Sequence, residues 1–205
     1  MKTTLLTATI AWVCITAHVI HTEIKIPTGL TPEAASMIIS SPDGETLSTR
    51  AAEIPGTKNG SSDLDILLFY KVCKYRERNG LKCWKWDNRV WKVAKSHSEY
   101  QAANGYMGHD GGSAAKRFAG QRFTHYGIDW TYVGENCAVT DSKGKDIIQI
   151  ADRILELWKL SPRHNELLLS TNSEFIGISC INGTDYKWSH NYHWWTYTTL
   201  NVYRE

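Results

Sequence analysis

At 205 residues with 23 Lys and Arg against 21 Asp and Glu, a formal charge of +2, the chain has room for one ordinary domain with a leader and a linker. Its charge offers no electrostatic footprint for nucleic acid or an anionic membrane. An apolar fraction of 42% with 21% charged residues excludes a wholly disordered chain, and nine Trp and ten Tyr against four Phe mark a protein built with rings that carry a polar handle.

Residues 1–20 read as an export signal. Met1-Lys2 supplies a short basic end, and residues 5–20 are largely apolar and end near the small Ala17. The uninterrupted apolar run falls short of the ~20 residues a bilayer span needs, so no membrane span is expected in the mature chain. Cleavage there removes Cys14 and leaves four of the five cysteines, the even number an exported disulfide framework requires. Ala11-Trp12-Val13 is not the small pair expected before a lipid-modified cysteine, which points to a free extracellular protein. The sequons at Asn59 and Asn182 fit the same route in a eukaryotic host.

Residues 21–60 read as a flexible linker or pro-segment. Residues 24–60 contain no aromatic residue and hold four of the five prolines, so they have little to bury against the cost of ordering them. The folded domain is therefore placed at 61–205. Ser61-Ser62-Asp63 opens a first helix, in which Leu64, Leu67, Leu68, Val72 and Tyr75 recur at helical spacing until Asn79-Gly80. Asp87-Asn88 opens a second, with Val90, Val93, Ala94 and His97 on one face and Asn104-Gly105 at its end. A short helix is expected over 113–121, and a long one over 145–160, where Ile147, Ile150, Ala151, Ile154 and Trp158 form an apolar stripe that Pro162 stops. Residues 175–181 and 194–202 read as strands around a polar loop at 182–193. Helices early and strands late predict α+β with an antiparallel sheet.

Three segments carry candidate chemistry: Gly105-Tyr106-Met107-Gly108-His109-Asp110, Gly134-Glu135-Asn136, and Ser161-Pro162-Arg163-His164-Asn165. Each sets a His or Glu at the edge of an element, where it can face a cleft. Two imidazoles and a carboxylate suit zinc and its neighbours and leave a position open for water. His97, on an apolar face, reads as a hydrogen-bonded core histidine, while His125, His190 and His193 fall in loops. Trp84, Trp86, Trp91, Trp130, Trp188, Trp194 and Trp195 offer either an aromatic wall for a lipid or ordinary core and rim packing.

The run Tyr75-Arg76-Glu77-Arg78-Asn79-Gly80-Leu81, then Trp86-Asp87, Val93-Ala94 and His97-Ser98, resembles the opening of the CAP superfamily of cysteine-rich secretory proteins, antigen 5 and pathogenesis-related proteins. The likeness continues through Gly105-Tyr106 with His109, Arg122, Gly127, Gly134-Glu135-Asn136, Trp158, Ser161-Pro162 with His164, and Ile176-Gly177-Ile178. The resemblance implies a three-layer α-β-α sandwich with a central antiparallel sheet and an open cleft over His109, Glu135 and His164, with Asn136 and Ser161 as neighbours. Ser161 stands three residues after Trp158, where fuller sites carry a second Glu, and this resembles the shorter bacterial-type branch. A divalent ion such as zinc is then expected to bind weakly, because Ser supplies a neutral oxygen in place of a charge.

Of three possible pairings, the expected disulfides are Cys73 to Cys83, brought together by the turn at Asn79-Gly80, and Cys137 to Cys180 across packed strands. Two functional readings follow. In the first, the domain is a secreted binding and interaction module whose cleft takes a small lipid, sterol or peptide or a protein partner. In the second, it is a metal-assisted hydrolase with Glu135 as general base. The chain has no His-Glu-x-x-His helix and no Gly-x-Ser-x-Gly elbow, which favours the first.

Overall fold

The computed structural model describes residues 62–183 and 194–205. The export signal, the 21–60 linker, Asn59, Trp188, His190 and His193 lie outside the described residues.

Helix α1 (Asp63–Arg78) starts on a reciprocal cap: Ser62 Oγ accepts from Asp65 N (3.2 Å) and Asp65 Oδ2 accepts from Ser62 N (3.1 Å). The two-residue strand β1 (Lys85–Trp86) follows. Helix α2 (Asn88–Asn104) is capped by Asp87 and ends at Gly105, whose φ of 54° is the left-handed conformation glycine adopts without strain. The next helix, α3, covers Ala119–His125 rather than the expected 113–121. The physical reason lies in Arg122: its Nη1 donates to the carbonyls of His109, Lys116 and Arg117 (3.2, 2.9 and 3.1 Å), so that backbone is held open as a loop.

Strand β2 (Tyr132–Asp141) leads to helix α4 (Ile147–Leu160), opened by an Asp146–Gln149 capping box. Pro162 was expected as a stop, and it also starts a further helix, α5 (Pro162–Leu168), that the sequence pattern did not reveal. Proline fits a first helical turn because its missing N–H would have had no intrahelical partner there. Strands β3 (Phe175–Gly183) and β4 (Trp195–Arg204) complete the fold, close to their expected positions.

The sheet runs β1-β3-β4-β2. β2 and β3 both flank β4 antiparallel, while β1 joins β3 in parallel through two residue pairs, so the sheet is mixed at one edge. One face carries Ile176, Ile178, Leu200 and Val202 against Leu67, Leu68 and Val72 of α1, Ile154 and Trp158 of α4 and Leu168 of α5. The other face carries α2 and α3, with Val90, Val93, Phe123 and Tyr203 in a smaller apolar cluster. This is the expected α-β-α sandwich. The α2 side is also polar: Ser98 Oγ lies 2.9 Å from both Ser179 O and Thr199 Oγ1, and Gln101 Nε2 donates to Thr199 Oγ1 (2.9 Å).

Cys73 and Cys83 form a disulfide, as the turn between them led one to expect. Cys137 and Cys180 do not, and both are buried free thiols. Register explains the correction. Cys137 lies opposite Thr199 and Cys180 opposite Thr198, on either side of β4. The two cysteines are thus two strands apart, about 9.5 Å, and consecutive residues of β4 point to opposite faces, so the two thiols do too.

Candidate functional site

Glu135 sits on edge strand β2 with its side chain turned to the α2 face and only 4% exposed. Three groups occupy its carboxylate. Oε2 accepts from Arg122 Nη2 and from Asn201 Nδ2 (3.0 Å), and Oε1 meets His109 Nδ1 at 2.9 Å. Burial alone would raise the Glu135 pKa, but the His109 bond and the Arg122 and His97 charges outweigh it and hold the group down to about 2. The residue is a carboxylate at any ordinary pH.

Arg122 is itself 1% exposed and binds the 109–117 loop through the three carbonyl bonds given above. Its guanidinium therefore fixes the His109 backbone while Glu135 fixes the His109 ring. With Nδ1 engaged, the half-exposed imidazole turns its Nε2 away from the carboxylate. The Glu135 hydrogen bond raises the His109 pKa.

His164 stands in the first turn of α5, and its carbonyl accepts from Asn136 Nδ2 (3.0 Å), which ties that turn to β2. Its pKa is lowered, first by burial and then by the charge of His109, so the two histidines share an electrostatic neighbourhood. Ser161 is the half-buried N-cap residue of α5 and makes no capping bond with its side chain. Glu166 is exposed on the same helix. The sequence-derived residues His109, Glu135, Asn136 and His164 thus gather at the β2 edge of the sandwich.

Sequence reasoning missed the partners behind them. His97 is the buried core histidine it was expected to be, with Nε2 on Gly108 O at 2.8 Å. It also reaches Glu135 Oε1 at 3.8 Å, and His97, Glu135 and Cys137 bring one ligand atom each to within 4.8 Å of one another. That spacing suits one divalent ion, which would have to displace a thiol proton and a histidine hydrogen bond in order to bind. Burial raises the Cys137 thiol well above its ordinary pKa, so it is protonated, and His97 Nε2 already bonds Gly108. The i, i+2 spacing of Glu135 and Cys137 was available in the sequence as a shared strand face. The approach of His97 from another element was not.

The aromatic residues divide unevenly. Trp84, Trp86 and Trp91 are core residues, whereas Trp130 and Trp194 are 42% and 58% exposed. His125 is exposed on α3.

A family model described as CAP, the cysteine-rich secretory protein family, matches residues 69–198. Among solved structures, an extracellular protein containing an SCP domain from Bacillus anthracis aligns over 69% of this chain at 23% identity, with a TM-score of 0.54. The aligned part spans 40% of the length of that protein. An outer surface protein from Borrelia burgdorferi aligns over 71% of this chain and 96% of its own length, at 19% identity and a TM-score of 0.53. These likenesses bear on the fold. No curated protein matches the chain. No helix among the described residues is long and apolar enough to cross a membrane.

Proposed function

The chain belongs to the cysteine-rich secretory protein (CAP) family, and on that premise we propose that it is a secreted binding and interaction module whose cleft holds a divalent ion at His109 and His164. One observation carries this reading: Glu135 clamps His109 Nδ1 at 2.9 Å, which leaves Nε2 of a half-exposed imidazole free to take a ligand. A carboxylate behind a histidine is the usual outer partner of a metal-binding imidazole, because it fixes the ring and raises its basicity. Glu135 supports the site from behind, and His164, kept neutral by its lowered pKa, supplies the second imidazole. A bound zinc ion would add a Lewis-acidic centre that recruits anionic or carbonyl groups of a ligand.

The metal-assisted hydrolase reading needs Glu135 as a general base. A carboxylate held near a pKa of 2, with both oxygens engaged, accepts a proton poorly at neutral pH. Binding is therefore the reading we adopt. A peptide or other small polar ligand suits this cleft better than a lipid or sterol, because three tryptophans of the expected aromatic wall are spent in the core.

Calorimetric titration with zinc tests the assignment. His109→Ala and His164→Ala are each expected to abolish binding, while His97→Ala retains it. Loss in His97→Ala alone would move the ion to the buried set with Cys137. Affinity is expected to fall as the pH drops through the raised His109 pKa, starting above the ordinary histidine value of ~6.5.

A further inference from the structure

Away from the two histidines, the C-terminal half of β2 borders a cavity of about 430 Å³ walled on its other side by α4. That volume lies in the range of about 300 to 1,000 Å³ typical of ligand sites. β2 is the last strand of the sheet and pairs with β4 alone among the described residues. Two hydrogen bonds define which of its backbone groups are spare. Ser142 N donates to Trp194 O (2.8 Å) at the β4 side, and Trp158 Nε1 donates to Cys137 O (3.2 Å) from the open side. In an antiparallel ladder these directions alternate, so even-numbered residues of β2 face β4 and odd-numbered ones face outward. Trp158 covers Cys137. Val139 is the next odd-numbered residue, so its N–H and C=O point away from β4, and it is one of the residues that line the cavity.

The opposite wall is a single stripe of α4, in which Gln149, Arg153 and Leu157 follow at four-residue spacing. Trp195 and Leu157 supply apolar surface. Asp141 is paired with Lys145 at 2.9 Å, whereas Arg153 is exposed and has no carboxylate partner among the described residues. The groove therefore carries one surplus positive charge. A second copy of the chain pairing edge to edge would bring that charge against its own image, which disfavours self-association.

We propose that this groove receives an extended peptide bearing acidic side chains, which adds to β2 as a further strand: its backbone pairs with Val139 and a carboxylate rests on Arg153. The surface includes none of His109, Glu135 or His164 and does not depend on a metal at them.

The probe is the capped pentapeptide Glu-Val-Glu-Val-Glu, titrated into the whole protein with the Val139 amide followed by NMR and hydrogen exchange. Saturable binding is expected, with Val139 exchange slowed at least tenfold at saturation. Arg153→Glu, at an exposed position, is expected to weaken binding at least tenfold, as is N-methylation of alternate peptide nitrogens, and Lys-Val-Lys-Val-Lys is expected not to bind. Absence of saturable binding, an unmoved Val139 amide, or equal affinity of the N-methylated peptide would each overturn the proposal. Concentration-dependent dimerisation that protects Val139 without peptide would also overturn it, in favour of a second copy.

Discussion

Glu135 is the residue on which the polar side of the sandwich depends. It neutralises a guanidinium that is 1% exposed and orients His109. Replacing it with Gln keeps the shape but strands the Arg122 charge, a change expected to cost about 3 to 5 kcal/mol in urea unfolding at neutral pH. The His109 pKa, read by NMR titration, is expected to fall back toward its ordinary value in the same variant; a loss below about 1 kcal/mol with an unmoved His109 would show the cluster to be uncoupled. The pH dependence has three parts. Glu135 is depressed from 4.5 to about 2, so its contribution is complete above 4.5 and is lost as the pH falls from there toward 2. His97 is lowered by burial from 6.5, so the unfolded chain takes up its proton first and stability also declines as the pH drops below 6.5. His109 is raised from 6.5 and acts in the opposite sense: its contribution is complete below 6.5 and is lost as the pH rises through its folded value.

At the scale of elements, the position of α2 is set by Gly177. A methyl group there would fall on the backbone of Val90 and Trp91, which cannot rotate aside. Gly134 offers a contrast, since a methyl there would meet the flexible ends of Leu167 and Val202. Gly177→Ala is therefore expected to lose about 1 to 3 kcal/mol or more, and Gly134→Ala clearly less, by urea midpoint; equal losses would mean that α2 has room to move. The helices also differ in how legible they are. α1, α2 and α4 have caps and apolar stripes of their own. α3 is displaced from its expected place by side-chain bonds from Arg122, and those belong to tertiary structure.

Across the whole molecule, Asp65 links the layers. It is 2% exposed, and its carboxylate accepts from Cys180 N in β3 (2.7 Å) and from Trp91 Nε1 in α2 (3.0 Å) while closing the cap of α1. The covalent tie between Cys73 and Cys83 spans ten residues and is worth about 2 to 3 kcal/mol in the chain-entropy description. Alkylation under native conditions is expected to leave Cys137 and Cys180 untouched, because both are buried with strongly raised pKa values. In denaturant without reductant, peptide mapping is expected to find both alkylated and Cys73 and Cys83 protected. A linked Cys137–Cys180 peptide would contradict the register of β2, β4 and β3.

The helices with strong caps and stripes, the strands around Ile178 and Leu200, and the Cys73–Cys83 pair beside its turn were all legible along the chain. Its ordered motifs also pointed to the family and to His109 and His164 as residues set at element edges, whereas Glu135, expected at such an edge, lies inside β2 and is only 4% exposed. Each of these is a signal carried along one stretch of chain. Tertiary structure alone decided that Cys137 and Cys180 face away from each other, that β1 joins in parallel, and that Arg122 and His97 reach Glu135. Those outcomes depend on register between strands and on the approach of separate elements. Periodicity within one element records which of its faces is apolar, but not which face of a neighbour it meets.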